Sequence, residues 1–279
     1  MVKISEAINL SQSILKDSIP SPRLDAEIIV CHVLKKDRLF LTINRDFEIS
    51  KSELDTIKAL SHLRASHKPM AYITGIKEFM SLELTVNENV LIPRPETEEL
   101  VSLIIEENKG KNLKILDLCT GSGAICVSLA HYIKDSYCVG VDISSRALEI
   151  AKVNAEKIGV AKRCEFKLMD ILKPASLNEK FDIVVSNPPY IESETVESLD
   201  TTVKSFEPRL ALDGGDDGLT FYRQITKNIS LYLKKGGMLY YEIGYNQGEA
   251  VKKIMENEFT NTQIIKDLSG HDRIVKGVF

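Results

Sequence analysis

The residues with the most chemical content are Ser186-Asn187-Pro188-Pro189-Tyr190, which close a short apolar run, Phe181–Ser186. Two consecutive prolines stop a strand, remove two backbone N–H donors and hold the chain extended. Their carbonyls remain free to accept hydrogen bonds. An Asn187 carbonyl pointing the same way as the Pro188 carbonyl makes two acceptors aimed at one NH2 group, and Tyr190 can stack on a flat substrate. An amide or aromatic-amine nitrogen is a poor nucleophile because its lone pair is delocalised into the π system. Two acceptors set for a tetrahedral nitrogen favour the geometry in which that lone pair points at an electrophilic methyl carbon. They also stabilise the positive charge that develops on the nitrogen. Alignment with the methyl donor supplies several kcal/mol more, out of about 7–11 available to well-oriented reactants. Such a site needs no metal and no general base beforehand. At an arbitrary position these residues would be a plain proline-rich turn, so the reading depends on what precedes them.

What precedes them reads as a nucleoside site. A short apolar run enters Asp117-Leu118-Cys119-Thr120-Gly121-Ser122-Gly123-Ala124, where glycines let the backbone turn tightly and approach a ligand without a Cβ in the way. About 20 residues on, a second run ends in Val141-Asp142-Ile143-Ser144, and a carboxylate there can accept hydrogen bonds from both ribose hydroxyls. A third ends in Met169-Asp170-Ile171, where an acid can bind an adenine amino group and Ile171 can cover the ring. A dinucleotide site wants a third glycine so that the pyrophosphate sits on the helix N-terminus. Here Ala124, Ile125 and Cys126 follow Gly123, so S-adenosylmethionine, which has no pyrophosphate, fits better than NAD.

The elements that must hold these residues alternate strand and helix. Strand candidates are Lys114–Leu118, Tyr137–Val141, Cys164–Leu168, Phe181–Ser186 and Met238–Ile243; helix candidates are Ala124–Tyr132, Ser145–Ile158 and Leu219–Leu233. This alternation predicts a doubly wound α/β domain, an open, mainly parallel sheet wrapped by helices on both faces, binding its ligand at the carboxyl ends of the strands. Residues 1–75 read instead as a small helical domain. Ile4, Ile8, Leu10, Ile14 and Leu15 share one face, Leu24 to Leu34 carry a second, and Leu54, Ile57, Leu60 and Leu63 turn inward along a third. Residues 76–93 alternate like strands around Asn87-Glu88-Asn89 and predict a β-hairpin linker before a catalytic domain over 94–279. Pro93-Arg94-Pro95-Glu96-Thr97-Glu98 is a helix start, with Arg94 and Glu96 as candidates for closing the pocket. Asp213–Gly218 reads as a structural turn shaping the pocket wall, Glu242 as a buried, hydrogen-bonded acid, and His271-Asp272-Arg273 as the entry to the last strand.

Bulk composition narrows the classes. The 279 residues are 43% hydrophobic and 27% charged, which suits a soluble globular chain of one large and one small domain. A net charge of −4 argues against holding nucleic acid by broad phosphate neutralisation. Five widely spaced cysteines without a C-x-x-C, and histidines without partners at ligand spacing, predict reduced thiols in a cytosol and no metal site. No apolar stretch approaches the ~20 residues that span a bilayer, so no membrane association is expected.

With these residues in hand, the chain resembles the release-factor glutamine methyltransferases, the HemK-like family. The likeness runs through Arg23-Leu24-Asp25-Ala26-Glu27, Ile92–Glu98, the glycine turn and Asn187-Pro188-Pro189-Tyr190. It continues through Glu207-Pro208 with Ala211-Leu212, Gly214-Gly215, Asp217-Gly218-Leu219, and Glu242-Ile243-Gly244 with Gln247. The tetrapeptide alone also marks adenine-N6 DNA methyltransferases; Pro93–Glu98 together with it is far more specific. The resemblance implies a seven-stranded class I methyltransferase sheet and N5-methylation of the glutamine in the Gly-Gly-Gln loop of class 1 peptide release factors. It further implies that Asn187 and Pro188 bind the glutamine amide, that Tyr190 packs against it, and that Cys119 to Gly123, Asp142, Ile171 and Asn187 line the cofactor site. One departure is Cys119, where many members have glycine; a backbone with φ > 0 is less comfortable there, which puts Cys119 in doubt as a contact. The rival readings are an adenine-N6 methyltransferase, opposed by the acidic balance and the lack of a base-reading domain, and a nucleotide-binding scaffold or NAD-dependent oxidoreductase, opposed by the missing third glycine.

Overall fold

The computed structural model describes residues 2–173 and 176–279. It contains two compact units, one running to Ile76 and taking in Asp200–Phe206, the other formed by Lys77–Leu199 and Glu207–Phe279. No helix among the described residues is long and apolar enough to cross a membrane.

The first unit is helical. Ile4–Leu15, Pro22–Leu34 and Lys51–Ala65 pack around Ile4, Ile8, Leu15, Ile29, Val30 and Ile57. Ser50 and Glu53 cap the third helix reciprocally, each satisfying a backbone N–H that the helix cannot. The inward face differs from the expected one. Leu24 and Leu63 are 42% and 45% exposed, whereas Ser11 and Ser61 are fully buried and share a hydrogen bond of 2.7 Å. Two small hydroxyl residues meet where larger leucines would hold the helices apart, and the Ser61 hydroxyl returns its proton to the Ile57 carbonyl.

The second unit carries a seven-stranded sheet. Its strands are β1 (Lys114–Leu118), β2 (Tyr137–Asp142), β3 (Cys164–Leu168), β4 (Phe181–Ser186), β5 (Leu233–Glu242), β6 (Thr260–Lys266) and β7 (Asp272–Val278). They lie in the order β6-β7-β5-β4-β1-β2-β3, and only β7 runs antiparallel to its neighbours. Helices α1 (Pro95–Glu107), α2 (Ala124–Tyr132) and α3 (Ser145–Lys157) follow in chain order, with α4 (Thr220–Lys227) and α5 (Gly248–Met255) after β4 and β5. Period-two alternation sorts each strand's side chains onto two faces. Ile115 joins a core with Leu100, Ile104 and Leu129, while Leu116 and Leu118 join one with Tyr222, Ile225 and Val251. Strand order reverses between β1 and β4, and the ends of those two strands are tied by Ser186, whose hydroxyl donates to the Leu118 carbonyl at 2.8 Å. A crevice at that reversal is where such sheets bind ligands.

Three boundaries differ from the sequence reading by more than one residue, the first being the strand expected to begin at Met238, which begins at Leu233. The hairpin strands are Ile76–Phe79 and Leu82–Thr85, and the turn falls at Met80-Ser81, both with positive φ (52° and 56°). Asn154 of α3 takes both backbone groups of Thr85, accepting from its N–H at 2.7 Å and donating to its carbonyl at 3.0 Å, so the strand ends there. Asn87–Asn89 is a separate side-chain-stabilised turn, the Asn87 Oδ1 accepting from the Asn89 N–H at 3.0 Å. The long helix expected over Leu219–Leu233 stops at Lys227, because the Asn228 amide bonds back to the Gln224 carbonyl at 2.8 Å; Leu233 already belongs to β5.

Candidate active site

The turn after β1 is held from behind by Asp117. Its buried carboxylate accepts the Thr120 hydroxyl at 2.6 Å and the Cys126 N–H at 3.2 Å, and burial, the dominant effect, pushes its pKa up to about 7. Thr120, Ser122 and Gly123 are therefore the inner side of the turn. Ser122 accepts from Asn154 at 2.9 Å through its carbonyl, and Gly123 (φ 77°) leaves no room for a Cβ, which would stand 2.9 Å from that of Ala151 on α3. Cys119 and Gly121 face outward and line a cavity with about 860 Å³ of empty space, part of it open to solvent.

Asp142, at the end of β2, lines the same cavity. One of its oxygens accepts the Gly121 N–H and the other the Ser144 N–H, both at 2.9 Å. Burial raises its pKa, and the Ser144 and Gly121 amides oppose the shift. Each oxygen keeps a further lone pair, so two more donors can be received. Asp170 and Ile171 form the far wall with Met169, Leu172 and Phe221; the Asp170 carboxylate accepts the Leu172 N–H at 3.0 Å. Of the expected cofactor residues, the structure brings Cys119, Gly121, Asp142, Asp170, Ile171 and Asn187 to one cavity, and it sets Thr120, Ser122 and Gly123 behind it.

Cys119 adopts φ 62°, a left-handed conformation that costs an L-residue roughly 1–2 kcal/mol. Glycine removes that cost but loses more chain entropy on folding, about 0.5–1 kcal/mol. Cys119→Gly is therefore expected to unfold at an equal or slightly higher temperature; a lower melting temperature would show that the packing of the half-buried thiol outweighs the backbone term.

Asn187 and Pro189 line the cavity beside Cys119, and Asn187 donates from Nδ2 to the Thr97 hydroxyl oxygen at 3.2 Å. Pro188 is buried, and Tyr190 packs into the core cluster of Tyr222 and Tyr241. Burial and the nearby Glu242 charge push the Tyr190 hydroxyl up to about 12, which keeps it protonated at neutral pH. The Asp213–Gly218 loop does not line the cavity; it supports the tetrapeptide from outside. Gly214 donates to the Ile191 carbonyl at 2.8 Å, Ile191 to Leu212 at 3.1 Å, and Ser193 to Gly215 at 3.0 Å. Gln247 donates to the Tyr190 carbonyl at 3.0 Å and to Gly218 at 3.3 Å, and accepts from Gly244 at 3.0 Å.

A Cβ on Gly218 (φ 68°) would fall well inside contact distance of the Tyr190 carbonyl oxygen, whereas one on Gly236 (φ 78°) would meet nothing within 4 Å. Gly218→Ala should thus lose roughly 2–3 kcal/mol and shift the tetrapeptide. Gly236→Ala should lose only the conformational part, about 1 kcal/mol, and keep full turnover. Denaturant unfolding and kcat of the two variants separate the effects.

Two stretches of the cavity wall are tied together by Glu207. Its nearly buried carboxylate accepts Arg94 Nη2 at 2.6 Å and the Ile92 N–H at 3.1 Å, tying the wall residues Asn89, Val90 and Leu91 to Pro208, Leu210 and Ala211. Arg94 thus acts on the wall without lining it, and Glu96 does not line it either. Thr97, Asn154, Glu207 and Gln247 received no role from the sequence. Each works through a partner between 57 and 115 positions away in the chain, so periodicity does not show its role; Thr97, Glu207 and Gln247 were marked only as members of the motifs that carry the family resemblance.

Comparison with known proteins is consistent with this arrangement. Residues 109–276 match a family described as Methyltransferase domain, and residues 6–75 one described as PrmC N-terminal domain. A release factor glutamine methyltransferase of Clostridium acetobutylicum is 42% identical over 281 residues, covering 99% of both chains. One of Bacillus cereus is 36% identical over 281 residues and 98% of both. Among solved structures, the hMettl16 catalytic domain in complex with MAT2A 3'UTR hairpin 6 gives a TM-score of 0.59 at 14% identity, over 79% of this chain and 82% of that one. A methyltransferase from Pyrococcus furiosus gives 0.52 at 14% identity, over 72% and 90%. At such identities these two likenesses speak for the fold alone.

Proposed function

The chain belongs to the release factor glutamine methyltransferases, and on that premise we propose that it transfers the methyl group of S-adenosylmethionine to the side-chain amide nitrogen of the glutamine in the Gly-Gly-Gln loop of class 1 peptide chain release factors. The observation that carries the reading is the juxtaposition of Asn187, with its NH2 engaged by Thr97, and a cavity bordered by Asp142, Asp170 and the Cys119–Gly121 turn.

The residues fit the cofactor. Asp142 has acceptor capacity left for the two ribose hydroxyls, Asp170 can accept from the adenine amino group, and Met169, Ile171, Leu172 and Phe221 offer apolar cover for a ring. Gly121 lets the backbone come close to the ligand, and Thr120, Ser122 and Gly123 keep the turn in shape from behind. S-adenosylmethionine, when bound, supplies an electrophilic methyl on a positively charged sulfur. The protein supplies position. Asn187 Oδ1 and the Pro188 carbonyl each accept one hydrogen of the glutamine amide, which turns the nitrogen lone pair out of conjugation and stabilises the charge that forms on it. Pro189 completes the wall, and the neutral Tyr190 ring packs against the amide plane.

The test is to incubate the purified protein with S-adenosylmethionine and either a class 1 release factor or duplex DNA. One added methyl mass on the Gly-Gly-Gln peptide, with none on DNA, is the expected result. Transfer to DNA alone would reverse the assignment.

A further inference from the structure

We propose that Thr97 and Glu242 are positioning residues that decide which way round the Asn187 amide stands, so that its oxygen and not its NH2 is offered to the substrate. This rests on the reading of Asn187 as an acceptor given above. A terminal amide is nearly symmetric in shape, and nothing steric distinguishes its two ends. An acceptor-only role therefore needs a device that recognises the NH2 end.

The device is a directed hydrogen-bond chain. Glu242, at the end of β5, is 1% exposed. Thr97, in the first turn of α1, and Asn187 both lie beside it and favour its ionised form, and its Oε2 is buried with no hydrogen-bond partner, so it has lone pairs free to receive a proton. An ionised carboxylate has no proton to give. The single Thr97 hydroxyl proton therefore goes to Glu242, and the hydroxyl presents only lone pairs to Asn187. Only the Nδ2 end can meet those lone pairs, which is the bond observed at 3.2 Å. Oδ1 is left at the opposite end of the amide.

The same chain reverses when Glu242 is protonated. A carboxyl proton can be donated to Thr97, whose own hydroxyl then donates to the amide oxygen. The amide turns over, and its NH2 meets the substrate NH2 donor to donor. Burial is the largest influence on Glu242 and raises its pKa to about 7; Thr97, Arg273 and Asn187 oppose the rise and Glu96 adds to it. The other charged or titratable groups around it are Arg273 from β7, Glu96 from α1, Tyr190 after β4 and Tyr222 on α4. Both tyrosine hydroxyls are pushed upward by burial and stay protonated, and Tyr222 donates to the Glu242 main-chain carbonyl at 2.8 Å. The active form has Glu242 ionised, so turnover falls as pH drops through about 7.

The experiment compares the full chain with Thr97→Val, Thr97→Ser and Glu242→Gln. Thr97→Val is expected to lower kcat about 10- to 100-fold, as for small misplacements of reacting groups, with the Kd for S-adenosylmethionine unchanged by calorimetry. Thr97→Ser restores the rate. In the unsubstituted enzyme kcat declines by about tenfold per pH unit below the transition, and Glu242→Gln removes that decline. A second readout does not use turnover. The side-chain 15N–1H2 pair of Asn187, assigned by its disappearance in Asn187→Ala, should titrate with a midpoint near that of the rate and should not titrate in Glu242→Gln. The amide titration in the unsubstituted chain decides the matter even where a variant folds poorly: a pair insensitive to pH overturns the proposal. Normal turnover in Thr97→Val also overturns it. If Asn187→Ala is inactive while Thr97→Val is normal, only the positioning chain fails; if Asn187→Ala is itself active, the acceptor reading fails first.

Discussion

Asn187→Ala is expected to lower kcat by roughly 10²–10³-fold, the range seen when one oriented polar group is removed from an active site. The fall should appear equally in kcat/KM, because the lost interaction strengthens as charge develops on the substrate nitrogen and contributes little to the ground state. Two observations shape this expectation. Asn187 lines the cavity, so its deletion acts at the site, and its Nδ2 is held by Thr97, so its carbonyl end is already oriented before substrate arrives. A preorganised acceptor requires no rearrangement at the moment of reaction, which is what makes a single group worth several kcal/mol in a water-poor site. Single-turnover transfer to a Gly-Gly-Gln peptide with saturating S-adenosylmethionine isolates the chemical step. Near-normal turnover would mean that the Pro188 carbonyl and the cavity walls suffice without it.

Asp142→Ala is expected to raise the Kd for S-adenosylmethionine by about 100-fold, measured by calorimetry. Hydrogen bonds to a charged group contribute about 1.5–3 kcal/mol each, and 1.4 kcal/mol is tenfold in affinity; two ribose hydroxyls lost together therefore give at least that effect. The substitution also frees the Gly121 and Ser144 N–H groups that Asp142 now receives at 2.9 Å, which loosens the turn. Asp142→Asn separates the two contributions. It keeps the side-chain volume and one carbonyl acceptor, so it can hold one of the two amides while losing the charge. An intermediate Kd, about tenfold above that of the unsubstituted chain, is expected for it. An unchanged Kd in both variants would remove Asp142 from the cofactor site.

The extent to which the chain's own order reveals its site differs from residue to residue. Strands β1 to β4, the second half of β5 and the helix Ala124–Tyr132 were legible because apolar alternation and the glycine turn are local signals. Thr120, Ser122 and Gly123 looked equivalent to Cys119 and Gly121, since all five belong to one turn; their division into an inner and an outer side depends on Asp117 and Asn154, which pull the inner ones toward the protein. The acidic, glycine-rich loop at Asp213–Gly218 reads as a structural turn shaping the pocket wall, and it shapes that wall without lining it. It supports the backbone of Pro189 and Tyr190, and glycines are needed there because a Cβ on Gly214 would stand 2.8 Å from the Pro189 carbonyl. The hairpin turn was misplaced by several residues because Asn87-Glu88-Asn89 carries the stronger turn composition, while Asn154, far along the chain, ends the strand at Thr85.

By itself the sequence determined the fold class and supplied the reasons for proposing a nucleoside-type turn and an amide-binding role for Asn187-Pro188-Pro189-Tyr190, because each is written in neighbouring residues whose backbone preferences and periodicity act over a few positions. Only the tertiary structure decided which turn residues reach the cavity and which hydroxyl holds the Asn187 amide. It also decided that Glu207 ties two stretches of the cavity wall together. These depend on hydrogen bonds such as Asn187 to Thr97 and Ile92 to Glu207, which span 90 and 115 positions. A donor and an acceptor so distant in the chain have no mutual preference until the sheet brings strand ends together, and burial then makes each unmatched partner costly enough to select one arrangement.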